Sequence, residues 1–216
     1  MDKQESNLNN LRINYTKASL NKSDVLSDPV DQFQKWFDEA LNSLVYEPNA
    51  MVLSTVKELN QPASRVVLLK KIQNDGFVFF TNYASDKAAE LEANSGCSLV
   101  FLWHELERQV RIEGNARKID SFESDTYFES RPYESQLGAW ASPQSKEIES
   151  REELEHLADK TREKFKGKRV SRPDFWGGYI VVPRIVEFWQ GRPGRLHDRI
   201  RYVWKNNHWK IIRLAP

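Results

Sequence analysis

Glu187-Phe-Trp-Gln-Gly-Arg-Pro-Gly-Arg-Leu-His-Asp-Arg199, with Arg213-Leu-Ala-Pro216 closing the chain, is the stretch that decides the reading. Trp189, Arg195, His197, Asp198 and Arg199 fall within eleven positions, in a run too irregular for a plain strand or helix. Arginine brings fixed positive charge and forked donors. Histidine brings an imidazole that titrates near neutrality, and tryptophan a flat apolar face. Together they suit a planar, anionic ligand, although a charged surface hairpin also explains them.

Short strands surround this block. Gly178 to Val182 and Ile185 to Gln190 precede it, and Arg199 to Trp204 and His208 to Leu214 follow, with Asn206-Asn207 as a turn that tolerates positive φ. Upstream, Ala50 to Val56, Ser64 to Lys70, Phe77 to Thr81, Cys97 to Trp103 and Arg108 to Ile119 read as strands, and Asn74-Asp-Gly76 signals a hairpin. Asp28-Pro29 starts an amphipathic helix whose apolar face is Val30, Phe33, Trp36, Phe37, Ala40, Leu41 and Leu44. Helices are also expected from Ser85 to Ala93, from Ser121 to Ser130 before Arg131-Pro132, and from Ser142-Pro143 to about Lys166. The pattern predicts an α+β fold with an antiparallel sheet curled into a small barrel. Residues 1–27 read as a polar N-terminal arm and 28–216 as a single domain.

The chain has 216 residues, enough to bury roughly 70% of its unfolded surface. Its 32 basic and 31 acidic residues nearly cancel, which gives nucleic-acid binding no support from bulk charge. No apolar run approaches the roughly 20 residues of a membrane span, and the polar N-terminus lacks a signal-peptide apolar region. Cys97 is the one cysteine and is expected to be a small buried residue. A reducing, cytoplasmic setting follows as the expectation. Four scattered histidines suggest no metal site.

Several constellations carry possible chemistry. Arg65 and Lys70 end a strand and, at odd spacing, face opposite ways. Phe80-Thr81 and Ser85-Asp-Lys87 stand at a helix start, where free N–H groups suit a phosphate, though most such starts are simple caps. Gln109 can both donate and accept. Tyr127 and Arg131 share a helix face, and Ser135 follows. Gln144-Ser145 lies at the expected start of the long helix. A single-strand nucleic-acid binder using Trp189, Tyr202, Trp204 and the arginines is a further reading, opposed by the balanced charge.

The tail motif and the order of these segments resemble the pyridoxine/pyridoxamine 5'-phosphate oxidase family, from about Leu11 to Pro216. The resemblance implies a split β-barrel, a homodimer that builds FMN sites from both chains, and oxidation of pyridoxine 5'-phosphate or pyridoxamine 5'-phosphate to pyridoxal 5'-phosphate with O2 as acceptor and H2O2 released. It implies that Arg65, Val66, Val67, Leu68, Leu69, Lys70, Phe80, Thr81, Lys87, Gln109, Gln144, Ser145, Trp189 and Arg199 hold FMN. It implies that Lys70, Tyr127, Arg131 and Ser135 hold the substrate phosphate, that Arg195 and His197 contact the substrate as the catalytic pair, and that Arg12 and Tyr15 close over it. One departure stands out: the family usually places a basic residue before Lys87, and this chain has Asp86. The alternative is a split-barrel protein that binds FMN or pyridoxal phosphate without turnover.

Overall fold

The computed structural model describes residues 13–73 and 75–216. In chain order it contains α1 (Pro29–Asn42), β1 (Ala50–Val56), β2 (Pro62–Leu68), β3 (Lys71–Gln73), β4 (Gly76–Asn82), α2 (Asp86–Ala93), β5 (Gly96–Trp103), β6 (Arg108–Lys118), α3 (Ser121–Ser130), α4 (Tyr133–Ala141), α5 (Arg151–Phe165), β7 (Trp176–Gln190), β8 (Asp198–Lys205) and β9 (His208–Leu214). The strands pair in the order β2-β1-β5-β6-β7-β4-β3, with β8 joined to β7 and β9 to β8. The registered pairs are antiparallel, as Val52 opposite Val66 and Phe80 opposite Gly178. This is the expected α+β arrangement. The chain divides into two compact units, the first taking in the chain up to Pro48, Leu102–Val110 and Val186–Pro216, the second Asn49–Phe101 and Arg111–Ile185.

In the first unit, Asp28 caps α1 by accepting from the Val30 and Asp31 N–H groups, with Pro29 in the first turn. Val30, Phe33, Trp36 and Ala40 are buried as expected. Leu41 and Leu44 are instead 49% and 89% exposed. The helix ends at Asn42 and Leu44 adopts φ 54°, so the helical period no longer governs its direction. Trp36 packs edge-on against Phe188 at 5.1 Å, and Phe188 in turn against Tyr202 at 5.6 Å. Asn206 and Asn207 turn the β8–β9 hairpin with φ of 52° and 60°.

In the second unit, β7 runs without a break through Pro183-Arg184, where the sequence predicts two strands. Gly114 of β6 makes this possible: a Cβ there would lie 2.1 Å from the Val182 carbonyl oxygen and 3.0 Å from the Pro183 Cα. β2 ends at Leu68, earlier than expected, because the Leu69 N–H donates to Asn49 and the Lys70 N–H to Val78. The expected helix from 142 begins at Arg151. Ser145 has φ 68°, and the Ser150 hydroxyl caps the helix by accepting from the Glu153 N–H while the Glu153 carboxylate accepts from the Glu149 N–H. Gln144 and Ser145 therefore lie in a turn before the helix. Helix α4 is additional, started by Pro132, whose carbonyl accepts from the Ser135 and Gln136 N–H groups. Ser85 precedes α2 as expected, but its buried hydroxyl donates to the Asn82 carbonyl instead of capping. Cys97 is half-buried, and burial pushes its thiol up to about 12, so it stays protonated.

The buried cluster Phe128, Leu137, Phe165, Val170 and Trp176 draws α3, α4, α5 and β7 together and braces Phe80 and Tyr127. Each fully buried aromatic side chain contributes up to about 3 kcal/mol. Gly114→Ala should lower the unfolding free energy by about 2 kcal/mol, because neither backbone atom facing the new Cβ can move alone. Urea denaturation reads this directly, and a wild-type midpoint would show slack between β6 and β7.

Candidate active site

The second unit holds a cavity of about 330 Å³. Val66, Val67 and Leu68 of β2 form one wall, and Lys70, Phe80, Thr81, Lys87, Tyr127, Arg131 and Gln144 also line it, together with Asn82 and Trp176. Ten expected site residues thus meet at one place. The rings of Phe80 and Tyr127 stack at 3.8 Å and 16°, and Trp176 lies nearly parallel to Tyr127 at 6°. The Arg131 guanidinium sits 4.5 Å over the Trp176 ring. Its Nη1 is buried and finds no hydrogen-bond partner among the described residues.

Lys87 reaches back across the start of α2. Its ammonium donates to the Thr81 and Ser85 hydroxyls at 3.2 Å and to Gln144 Oε1 at 3.4 Å, all neutral acceptors. Burial, then the charge of Arg65, lowers its pKa, against the weaker pull of Asp86 and Glu90. Burial likewise lowers that of Arg131. The lining contains three cations, Lys70, Lys87 and Arg131, and no carboxylate. Lys87 and Arg131 are part-buried and Lys70 exposed, and unneutralised donors of this kind fit a phosphate-bearing ligand.

Other expected residues of this unit lie outside the lining. Arg65 pairs with the buried Glu90 at 2.7 Å and donates to the Thr55 hydroxyl. Burial would raise the Glu90 pKa, but hydrogen bonds from Thr55 and Arg65, with the latter's charge, bring it down. Leu69 is buried, Ser135 is half-buried in α4, and Ser145 stands beside Gln144. Asp86 is exposed in the first turn of α2.

The first unit holds a cavity of about 690 Å³ lined by Tyr15, Trp189, Arg195 and His197, with Ile13, Asn14, Arg192 and Gly194. Gly194 and Arg195 adopt φ of 65° and 62°, so the tail turns sharply and Arg195 is exposed at the rim. The Arg192 N–H donates to His197 Nδ1 at 3.1 Å. That bond leaves the proton on Nε2 of a neutral ring. Burial, then the charge of Arg195, lowers the imidazole pKa, which favours the same state. Trp189 lies 4.6 Å and Tyr15 5.8 Å from the ring. Gln109 and Arg199 are half-buried outside this cavity. Arg12 lies outside the described residues. His104, His156 and His208 are exposed, and no metal-ligating cluster occurs among the described residues.

A family model described as pyridoxamine 5'-phosphate oxidase matches residues 37–165, and one described as the C-terminal dimerisation region of pyridoxine 5'-phosphate oxidase matches 176–216. The chain belongs to this oxidase family. A protein of Cupriavidus pinatubonensis named pyridoxine/pyridoxamine 5'-phosphate oxidase is 52% identical over 210 residues, covering 97% of this chain and 99% of the relative. One of the same name from Rubrobacter xylanophilus is 52% identical over 95% of each. The solved structure of PhzG from Burkholderia lata, in complex with tetrahydrophenazine-1-carboxylic acid, is 31% identical, with a TM-score of 0.85 over 90% of this chain and 95% of that one. An FMN-binding protein of Nostoc punctiforme shares the fold, with a TM-score of 0.69 at 17% identity. The split-barrel class expected from the sequence is the fold of this oxidase family.

Asn82, Trp176, Arg192 and Glu187 are site or supporting residues that the sequence reading does not single out. Glu187 is 2% exposed and receives Arg199 at 2.9 Å and Arg201 at 2.7 Å. Burial would raise its pKa, but the two arginines lower it below the ordinary 4.5. The ion pairs therefore stabilise the fold above that pH and lose their contribution as the pH falls through the lower, folded value. Glu187→Gln should cost about 2 kcal/mol at pH 7, the arginines being part-exposed. The difference from wild type should shrink below about pH 4. Denaturation at graded pH checks it; a difference independent of pH would contradict the ion-pair account.

Proposed function

We propose that this oxidase-family member oxidises pyridoxine 5'-phosphate or pyridoxamine 5'-phosphate to pyridoxal 5'-phosphate, using FMN and O2. The observation that carries the reading is 52% identity, over 97% of the chain, to a relative bearing that oxidase name. The cavity of the second unit supports it, since uncompensated cations beside stacked aromatics suit phosphate-bearing aromatic molecules. In the amine reaction, substrate, O2 and water give the aldehyde, ammonia and H2O2; in the alcohol reaction, substrate and O2 give the aldehyde and H2O2.

FMN, when bound, supplies the acceptor for the hydride equivalent leaving the substrate C4' carbon. Lys87, Thr81 and Gln144 form one donor group suited to the FMN phosphate, with Ser145 next to Gln144 in sequence and Arg65 near enough for its charge to act on Lys87. Val66 to Lys70, Phe80, Gln109, Trp189 and Arg199 complete the proposed FMN set. Lys70, Tyr127, Arg131 and Ser135 are assigned to the substrate phosphate, the orphaned Arg131 Nη1 supplying a donor in want of an acceptor. Arg195 orients the pyridine ring and favours charge that develops on it. His197, with its proton on Nε2, serves as a hydrogen-bond donor that orients the substrate, and so is poorly placed as a general base. Arg12 and Tyr15 are assigned to closing over the substrate.

The match to a dimerisation region supports a homodimer. No described helix is long and apolar enough to cross a membrane. A cytoplasmic location is proposed, by likeness to bacterial relatives.

The purified protein should show flavin absorbance near one per chain and release peroxide steadily on adding pyridoxamine 5'-phosphate. Arg195→Ala and His197→Ala should each keep FMN and lower kcat/KM by roughly ten- to a hundredfold, the effect of losing one charged hydrogen bond. Flavin without turnover would favour the binding protein over the enzyme. Wild-type kcat/KM in both variants would remove the catalytic assignment.

A further inference from the structure

We propose that Glu107 is a positioning residue that pins the segment before α1 and so holds Tyr15 at the mouth of the first-unit cavity. Glu107 sits in the turn between β5 and β6 with φ 53° and is 8% exposed. One of its carboxylate oxygens, Oε2, accepts from two successive backbone N–H groups, Thr16 at 2.8 Å and Lys17 at 2.9 Å. Charge-assisted bonds of this kind are stronger than neutral ones. The Lys17 ammonium adds a bond to the Glu105 carbonyl in the same turn.

The seat beneath Tyr15 is made by the same turn. The Gly191 N–H donates to the Glu107 carbonyl at 2.8 Å. A Cβ on Gly191 would come within 2.7 Å of Tyr15 Cγ and 3.1 Å of Glu107 Cβ, so the ring rests where only glycine leaves room. From there Tyr15 meets Trp189 edge-on at 5.7 Å and His197 at 5.8 Å. Farther along, Arg192 donates to the Ala18 carbonyl, Asp198 accepts from the Leu20 N–H and Arg213 donates to the Leu20 carbonyl. Those pins fix residues 18–20. Glu107 extends the anchoring to Thr16, the residue next to Tyr15.

Without this pin, binding energy must be spent on ordering the segment, so substrate binding weakens while the chemical step keeps its geometry. The substrate identity rests on the function proposed above; the pinning does not. The test compares FMN-loaded full-length wild type with Glu107→Ala, Glu107→Gln, Tyr15→Ala and the Glu107→Ala/Tyr15→Ala double variant. Glu107→Ala should raise KM for pyridoxamine 5'-phosphate about tenfold with kcat within about twofold. Glu107→Gln, whose amide oxygen still accepts, should fall between Glu107→Ala and wild type. The double variant should be no worse than Tyr15→Ala, since Glu107 acts through Tyr15. In substrate-free protein, tryptic cleavage after Lys17 should quicken about tenfold in Glu107→Ala with FMN content unchanged. Unaltered cleavage, or additive effects of the two substitutions on KM, would overturn the proposal. If wild type proves inactive, the proposed function fails and the cleavage rates alone decide the role of Glu107.

Discussion

Uncompensated positive charge is the constraint around which the second unit is organised. Lys70, Lys87 and Arg131 line one cavity with no carboxylate among its walls. Burial depresses the pKa of Lys87 and of Arg131, so the fold works against its own cations there. Two nearby carboxylates of the unit are engaged by other partners. Glu90 is bound to Arg65 and Thr55, and Glu123 to Lys71 and Gln73. The charge left over is available to an anion. The cluster around Phe128 and Trp176 supplies the stiffness that keeps Phe80, Tyr127 and Arg131 in place meanwhile.

The first unit solves a different problem, which is to give an irregular, arginine-rich tail a defined shape. Glu187 anchors Arg199 and Arg201 from a buried position, and Asp198 anchors Arg213. The Arg192 N–H fixes the His197 tautomer. The Glu107 and Asp198 carboxylates, which accept from Thr16 and Leu20, and the Arg192 guanidinium, which donates to the Ala18 carbonyl, then catch the segment from Thr16 to Leu20. Each contact is modest, but all converge on the orientation of Tyr15, Trp189 and His197.

Much of this was legible in the sequence. Asp28-Pro29 and Asn206-Asn207 carry strong local signals, and α1 and the β8–β9 turn form where those signals point, while most strands form close to their expected bounds. Gathering Lys70, Lys87, Tyr127 and Arg131 came from family likeness, since they are remote in the chain and no local pattern joins them. The misreadings have physical causes. Pro183 reads as a strand breaker because sequence does not reveal that Gly114 faces it and lets β7 continue. Ser142-Pro143 reads as a helix start, but the positive φ of Ser145 interrupts it, and α5 begins only after the Ser150 cap. Leu44 fits the apolar period yet lies past the helix end. Glu107, next to a strand, and Glu187, inside one, look like ordinary acids, and only tertiary structure shows what each carboxylate holds.

The most direct test of the account is the urea stability of apo-protein, with and without FMN, for wild type and Lys87→Met. A desolvated, unneutralised ammonium costs stability in the absence of an anion, so apo Lys87→Met should unfold at the same or a higher urea concentration than wild type. FMN should stabilise wild type strongly and the variant by at least about 1.4 kcal/mol less, equivalent to tenfold weaker binding. A variant that is less stable as apo-protein, yet gains as much from FMN as wild type does, would contradict the account.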